Sequence, residues 1–224
     1  MHSPASPSSG VAPLPAAVLF DWDGTLADSL GAIYLANRRA LASLGIHLDR
    51  TWFRERYTPD WRRTYAELGV PEHLYDELAN RWAREMQLVR PRALPWTRGG
   101  LRRLRRHGVR LGLVTASMRA VVEAAIPRLN LGGVFEVAVY SDDVAATKPA
   151  PDGLVQALDV LGLRPADALY VGDTPEDLAM ARAAGSPFVA VGRTTDPAAF
   201  AACGIDRVWP GVGAWVDDLL GPRP

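Results

Sequence analysis

One cysteine and one lysine in 224 residues are the first features of this chain, and each shortage excludes something. A lone Cys203 cannot build an internal disulfide framework, so an apolar core must hold the fold. That suits a reducing compartment, with Cys203 read as a packing residue. Net charge is missing too: 25 basic residues cancel 25 acidic ones, which argues against a dedicated binder of nucleic acid or anionic membrane. No apolar stretch is long enough to span a bilayer. Residues 1–15, rich in Ser, Pro and Ala, lack the basic start and apolar block of a signal peptide and read as a disordered leader. Together these shortages point to the cytoplasm. The four histidines, His2, His47, His73 and His107, show no metal-ligand spacing, so zinc is not expected. The scarcity of lysine singles out Lys148: every other basic residue is arginine, and a compact ammonium differs physically from a planar guanidinium.

What the chain has is enough apolar material, 48% of its residues, for a substantial core. The run Ala16-Ala17-Val18-Leu19-Phe20 reads as a buried strand. Helical spacing follows through Leu30, Ile33, Tyr34, Ala40, Leu41 and Leu44, stopped at Gly45. Residues 49–96 hold no convincing strand; they offer a helix start at Thr58-Pro59 and a long pattern over 71–89, so an all-helical insert is expected. Thr97 is expected to cap a helix through His107. A strand over 109–115 follows, and then the rhythm is regular: helix 120–129, strand 135–140, helix 153–161, strand 168–172, helix 175–184 and strand 188–191, with weaker elements to 220. Such alternation predicts an α/β fold with a parallel sheet covered by helices, whose ligand sits beyond the carboxyl ends of the strands. No internal repeat is present.

Four polar segments fall at those ends. The first, Asp21-Trp22-Asp23-Gly24-Thr25-Leu26, places two carboxylates at i and i+2, on one face of a strand, just before a glycine that permits a tight turn. Adjacent carboxylates repel, and such a pair persists where one is protonated or a cation lies between them. The second runs over 115–117 and the third is Thr147-Lys148-Pro149-Ala150-Pro151-Asp152. The fourth, Gly172-Asp173-Thr174-Pro175-Glu176-Asp177, contains a helix start in which Thr174 caps, Pro175 takes the first position and Asp177 completes a capping-box spacing. Asp173 is left without a structural task. Each segment alone also has a bland reading: an Asp-Gly turn, a strand-terminal threonine bonding its own backbone, a solvated lysine, a helix cap.

The four segments in this order, with the helical insert after the first, resemble the haloacid dehalogenase superfamily, specifically its phosphoglycolate phosphatase-like enzymes with a helical cap. The resemblance covers nearly all of the chain after residue 15. It implies a Rossmann-like core over 16–27 and 97–224 with a helical cap over 28–96, and a Mg2+-dependent phosphatase acting on a small phosphorylated metabolite. By resemblance Asp21 is the nucleophile that forms an aspartyl phosphate. Asp23 protonates the leaving oxygen and later activates water, while also helping to hold magnesium. Thr115 and the Ala116 backbone meet phosphate oxygens. Lys148 steadies the transferring phosphoryl group and bridges Asp21 and Asp173. Asp21, Asp23 and Asp173 ligate the metal, with Asp177 as a supporting acid. Ala116 departs from the polar residue common there, which removes that side-chain contact. In the cap, Arg54, Arg56, Arg62 and Arg63 are read as a solvated helix face. Two rivals stand beside this reading: a sugar phosphomutase of the same superfamily, and a non-catalytic phosphate-binding or interaction module. Dehalogenation is disfavoured by Asp23, which such relatives lack. Substrate identity and oligomeric state have no signature.

Overall fold

A computed structural model describes residues 13–56, 58, 60–89, 91–192 and 197–223. Most of the expected leader lies outside the described residues, but Leu14 already packs against the core. The centre of the fold is β1 (Ala17–Phe20), whose four residues are all buried. They are apolar because both faces and both edges are covered. Val18 and Phe20 point into one hydrophobic cluster and Ala17 and Leu19 into the other, one on each face of the sheet. Truncating Leu19 or Phe20 to Ala is expected to cost about 2–5 kcal/mol.

The other sheet strands are β4 (Arg110–Val114), β5 (Val137–Val139), β6 (Ala168–Gly172), β7 (Phe188–Val191) and β8 (Val208–Trp209). All pairings are parallel, in the order β5-β4-β1-β6-β7-β8. The chain thus builds outward from β1 on one side through β4 and β5, then returns to build on the other side through β6. That reversal opens a crevice at the carboxyl ends of β4, β1 and β6. Helices α5 (Thr97–Arg106), α6 (Arg119–Ala125) and α10 (Val212–Leu220) contribute to one layer, and α7 (Asp152–Leu161) and α8 (Pro175–Ala184) to the other. The short α9 (Pro197–Ala201) adds Phe200 to a small satellite cluster, against which Cys203 packs.

Between β1 and α5 lies the insert: α1 (Leu30–Ala42), α2 (Arg50–Arg56), α3 (Trp61–Glu67) and α4 (Tyr75–Leu88), with α1 packed on α4. Their apolar faces form a cluster around Ile33, Leu41, Phe53, Tyr65 and Leu78, joined from the core by Met118 and Val121.

The structure corrects several sequence expectations. The insert carries one small sheet, since β2 (Ala27–Asp28) pairs antiparallel with β3 (Arg92–Ala93) where the two connections to the core run side by side. Two-residue strands have no periodicity to detect. Helix α6 ends at Ala125 and not near 129, because Pro127 cannot continue the ladder. The 71–89 pattern is a 3-10 turn, Glu72–Leu74, followed by α4. Helix α3 starts later than Thr58-Pro59, with Asp60 accepting from the Arg63 amide at 3.2 Å; Pro59 lies outside the described residues. Thr97 is not a cap. Trp96 holds that position in the left-handed region, φ 64°, and the buried Thr97 hydroxyl has no partner among the described residues.

Candidate active site

All four polar segments converge on the crevice. Asp21 follows β1 and prolongs its ladder, its amide donating to Val171 O at 2.9 Å. Trp22, 1% exposed, turns into the core cluster that also holds Leu26 and Trp215, and this anchor leaves Asp21 and Asp23 facing the cavity on either side of it. The chain then reverses at Gly24, φ 79°, with Leu26 N and Ala27 N both donating to Trp22 O at 3.0 and 2.9 Å. Gly24 also has a packing duty: a Cβ there would lie 2.1 Å from Asp173 Oδ2.

Lys148 is the ion at the centre. It is 4% exposed, its ammonium donates to Asp21 Oδ1 and lies 2.7 Å from Asp177 Oδ1, and it sits 5.4 Å from the centroid of the Tyr170 ring. The expected partner pair was Asp21 and Asp173; the observed pair is Asp21 and Asp177. Asp177 reaches back because α8 begins beside it: its Oδ2 accepts from Asp173 N at 3.1 Å, Thr174 N at 3.0 Å and Thr174 Oγ1 at 2.8 Å. Its Oδ1 also accepts from the Tyr170 hydroxyl at 3.3 Å. Gly172 makes room for this, since a Cβ there would lie 2.5 Å from Asp177 Cγ.

Asp173, 3% exposed, receives the Thr25 hydroxyl at 3.3 Å. One carboxylate oxygen from each of Asp21, Asp173 and Asp177 falls within a 4.8 Å cluster. Burial pushes Asp21 up to about 7, against the pull of Lys148 and with added repulsion from Asp177 and Asp23. Burial, then Asp21 and Asp177, hold Asp173 well above the usual carboxylate range. The Lys148 ammonium is held above its usual range by Asp177 and Asp21, which together outweigh its burial. One ammonium among several buried carboxylates leaves a surplus of negative charge, and hard oxygen donors so placed fit a divalent cation such as magnesium.

Asp23 is raised by burial but steadied by Ser117, whose hydroxyl donates to Asp23 Oδ2 at 2.5 Å. Sequence reasoning gave Ser117 no role, although its position two residues after a strand-end threonine puts it in the same loop. Thr115 stands one step back: its Oγ1 accepts from Ser117 N at 3.0 Å, while Ala116 and Ser117 line the cavity. Thr25 and Tyr170 were missed as well. They contact carboxylates 148 and 7 residues away, and no local pattern announces such contacts. Of the cap arginines, Arg63 pairs with Glu67 at 2.9 Å and Arg54 and Arg56 face solvent, as expected. Arg62 differs: it lines the cavity, its guanidinium 4.4 Å from the centroid of the Trp61 ring.

A carboxylate held by an ammonium at the end of the central strand, a second carboxyl two residues on, and a cavity of about 270 Å³ reaching both form a site for group transfer to oxygen nucleophiles. The haloacid dehalogenase-like hydrolase family model matches residues 18–191. Phosphoglycolate phosphatase of Aquifex aeolicus is 31% identical over 180 residues, covering 75% of this chain and 81% of that protein. Pyrophosphatase PpaX of Bacillus cereus is 30% identical over 193 residues, covering 79% and 83%. A solved haloacid dehalogenase-like structure from Bacteroides fragilis, 26% identical, superposes with a TM-score of 0.82 over 89% of this chain and 99% of that one. The chain belongs to the haloacid dehalogenase-like hydrolases and is a phosphoglycolate phosphatase-like enzyme of that family.

Proposed function

We propose that the protein is a magnesium-dependent phosphatase that hydrolyses a small-molecule phosphomonoester through an aspartyl phosphate on Asp21. The observation that carries this is the pairing of Asp21 with Lys148 beside Asp23, itself held by Ser117, at one cavity. Lys148 favours the anionic form of Asp21 against its burial and orients it by engaging Oδ1. The other oxygen, Oδ2, accepts no hydrogen bond from the described residues and is the nucleophile. As it bonds to phosphorus, the ester bond breaks and the leaving oxygen takes the proton of Asp23, whose raised affinity for a proton supports that state. Asp23, now a carboxylate, takes a proton from water; the hydroxide displaces Asp21 and inorganic phosphate leaves. Asp21 and Asp173 would hold the magnesium ion together with the Asp23 backbone, and when bound the ion supplies charge neutralisation for the phosphoryl oxygens. Asp177 has both oxygens engaged by protein donors and acts as a positioning residue for Lys148 and the Asp173 loop.

The test is release of inorganic phosphate from a panel of phosphomonoesters with and without Mg2+. Asp21→Asn is nearly isosteric and keeps the fold but removes the anionic nucleophile, so turnover should vanish. Near-native turnover by that variant, or full turnover by protein stripped of metal and verified by elemental analysis, overturns the reading.

A further inference from the structure

The catalytic carboxylates occupy one end of the cavity; the rest of its wall is shared between the insert and the core loops, and the insert's share bears on the leaving group. Trp61, Tyr65 and Trp82 line it, with Ile33 and Met118 beside them. Trp61 and Tyr65 meet edge to face, ring centroids 5.4 Å apart, and so present one joined aromatic surface. Positive charge is scarce: Arg62 is the one cationic side chain among the described residues lining the cavity, and it is exposed and spread over Trp61. Asp142 adds negative charge at the rim. A leaving group carrying its own carboxylate or second phosphate would therefore meet aromatic faces, neutral hydroxyls, an added acid and one solvated cation, a poor exchange of charge for its hydration.

Three polar groups on this wall have spare capacity, the first being the buried Trp82 Nε1, which has no partner among the described residues. Tyr65 is 2% exposed and its hydroxyl makes no hydrogen bond with the described residues. Asn37, 8% exposed, uses Nδ2 on Ile33 O at 3.0 Å, while its Oδ1 accepts nothing from the described residues. A donor and an acceptor on nine-tenths-buried side chains, set among aromatic rings, match a ligand that is flat and apolar on its faces and polar at its edge.

We propose that the substrate is a phosphomonoester whose leaving group carries a flat aromatic or heteroaromatic ring with a hydrogen-bonding edge, seated against Trp61, Tyr65 and Trp82 with Asn37 and the Tyr65 hydroxyl reading that edge. This rests on the phosphatase reading above and adds the substrate class to it. The cavity, about 270 Å³, lies near the lower end of small-molecule pockets and matches a single metabolite of that kind.

The test compares kcat/KM of the magnesium-loaded full chain for pyridoxal 5′-phosphate, adenosine 5′-monophosphate and phosphotyrosine against phosphoglycolate, glucose 6-phosphate and inorganic pyrophosphate. A ring-bearing ester should lead by at least about tenfold, the scale of one stacking contact. Trp82→Leu should shrink that lead by a similar factor, and Tyr65→Phe, which removes one oxygen and keeps the packing, should raise KM for the ring substrate more than for phosphoglycolate. A non-aromatic ester equal to or better than every ring-bearing one overturns the substrate class while leaving the phosphatase standing. A ring preference that both variants leave intact overturns the assigned wall. No phosphate from any ester overturns the phosphatase reading and this inference with it.

Discussion

Replacing Gly24 by alanine adds one methyl group to the loop that carries both proposed catalytic carboxylates, and the structure sets the consequence. The residue has φ 79°, where a Cβ costs about 1–2 kcal/mol by its clash with the backbone. The methyl would then lie 2.1 Å from Asp173 Oδ2 and 2.8 Å from its Cγ. An ordinary carbon–oxygen contact is roughly 3.3 Å, so the carboxylate must retreat by about 1 Å. It has little room: Thr25 holds Oδ1 at 3.3 Å, and Gly192 lies so near that a Cβ on it would be 3.0 Å from Asp173 Cβ. Overpacking of this kind costs about 1–3 kcal/mol more. The total of about 2–5 kcal/mol corresponds, for a chain of this size, to a melting point lower by about 4–20 °C.

The same retreat moves a proposed magnesium ligand, so half-saturating Mg2+ in the phosphatase assay should rise at least about tenfold, with kcat reduced even at saturation. Gly31→Ala is the control. Gly31 lies in the first turn of α1 with nothing within 4 Å of a Cβ, so alanine there should stabilise by about 0.5–1 kcal/mol and leave metal dependence alone. A Gly24→Ala protein with the parent melting point and the parent Mg2+ requirement would refute both the steric argument and the place of Asp173 at the metal.

Ser117→Ala removes the hydroxyl from Asp23; kcat should fall by about 10- to 100-fold, the scale of a hydrogen bond to a charged group. Because that bond lowers the affinity of Asp23 for a proton, its loss should move the alkaline limb of the kcat profile to higher pH, and an unmoved limb counts against Asp23 as the acid. Lys148→Arg keeps the charge but not the shape of a 4%-exposed ammonium between two carboxylates, and should lose at least about 100-fold in kcat; Lys148→Ala should also lose about 3–5 kcal/mol of stability in chemical denaturation. Asp21 and Asp173 have raised proton affinities, so in metal-free protein they contribute stability that is full below the unfolded value and lost as pH rises through the folded one. Differential scanning calorimetry of chelated protein should therefore show this contribution fading between about pH 4 and pH 7, with Mg2+ or Asp21→Asn flattening the slope; a slope of opposite sign refutes the electrostatic account.

The core was legible because its elements are local and periodic. A fully apolar run such as Ala17–Phe20 has few readings other than a strand covered on both faces, and Gly162 and Gly185, both left-handed, end α7 and α8 where helical spacing stops. The misread elements were set by contacts distant in sequence or by one residue within a longer pattern. Nothing in Arg92-Ala93 announces pairing with Ala27-Asp28, and the left-handed Trp96 is understood only once Gly213 is seen: a Cβ there would lie 2.4 Å from Trp96 Cβ. Pro127, by contrast, was a local signal whose weight exceeded that of the apolar spacing around it.

The site divides the same way. Asp21, Asp23, Lys148 and Asp173 stood out because each follows or approaches a strand end carrying a charge that the local structure does not need. Asp177 was expected both as a helix cap and as a supporting acid, and the structure shows its cap bonds and its ion pair with Lys148 to be one arrangement. Bonds from the amides of Asp173 and Thr174 fix one oxygen at the start of α8, and that anchorage presents the other to Lys148 at 2.7 Å. A capping box therefore sets the position of the ammonium, which in turn holds Asp21. Asp177→Asn should retain the cap geometry, since an amide oxygen still accepts from the Thr174 amide, yet leave Lys148 with one anion in place of two. If the cap alone mattered, turnover would survive that change. If Asp177 positions Lys148 through charge, kcat should fall while helix stability and KM hold, and Asp177→Glu, whose longer arm disturbs the cap, should lose both.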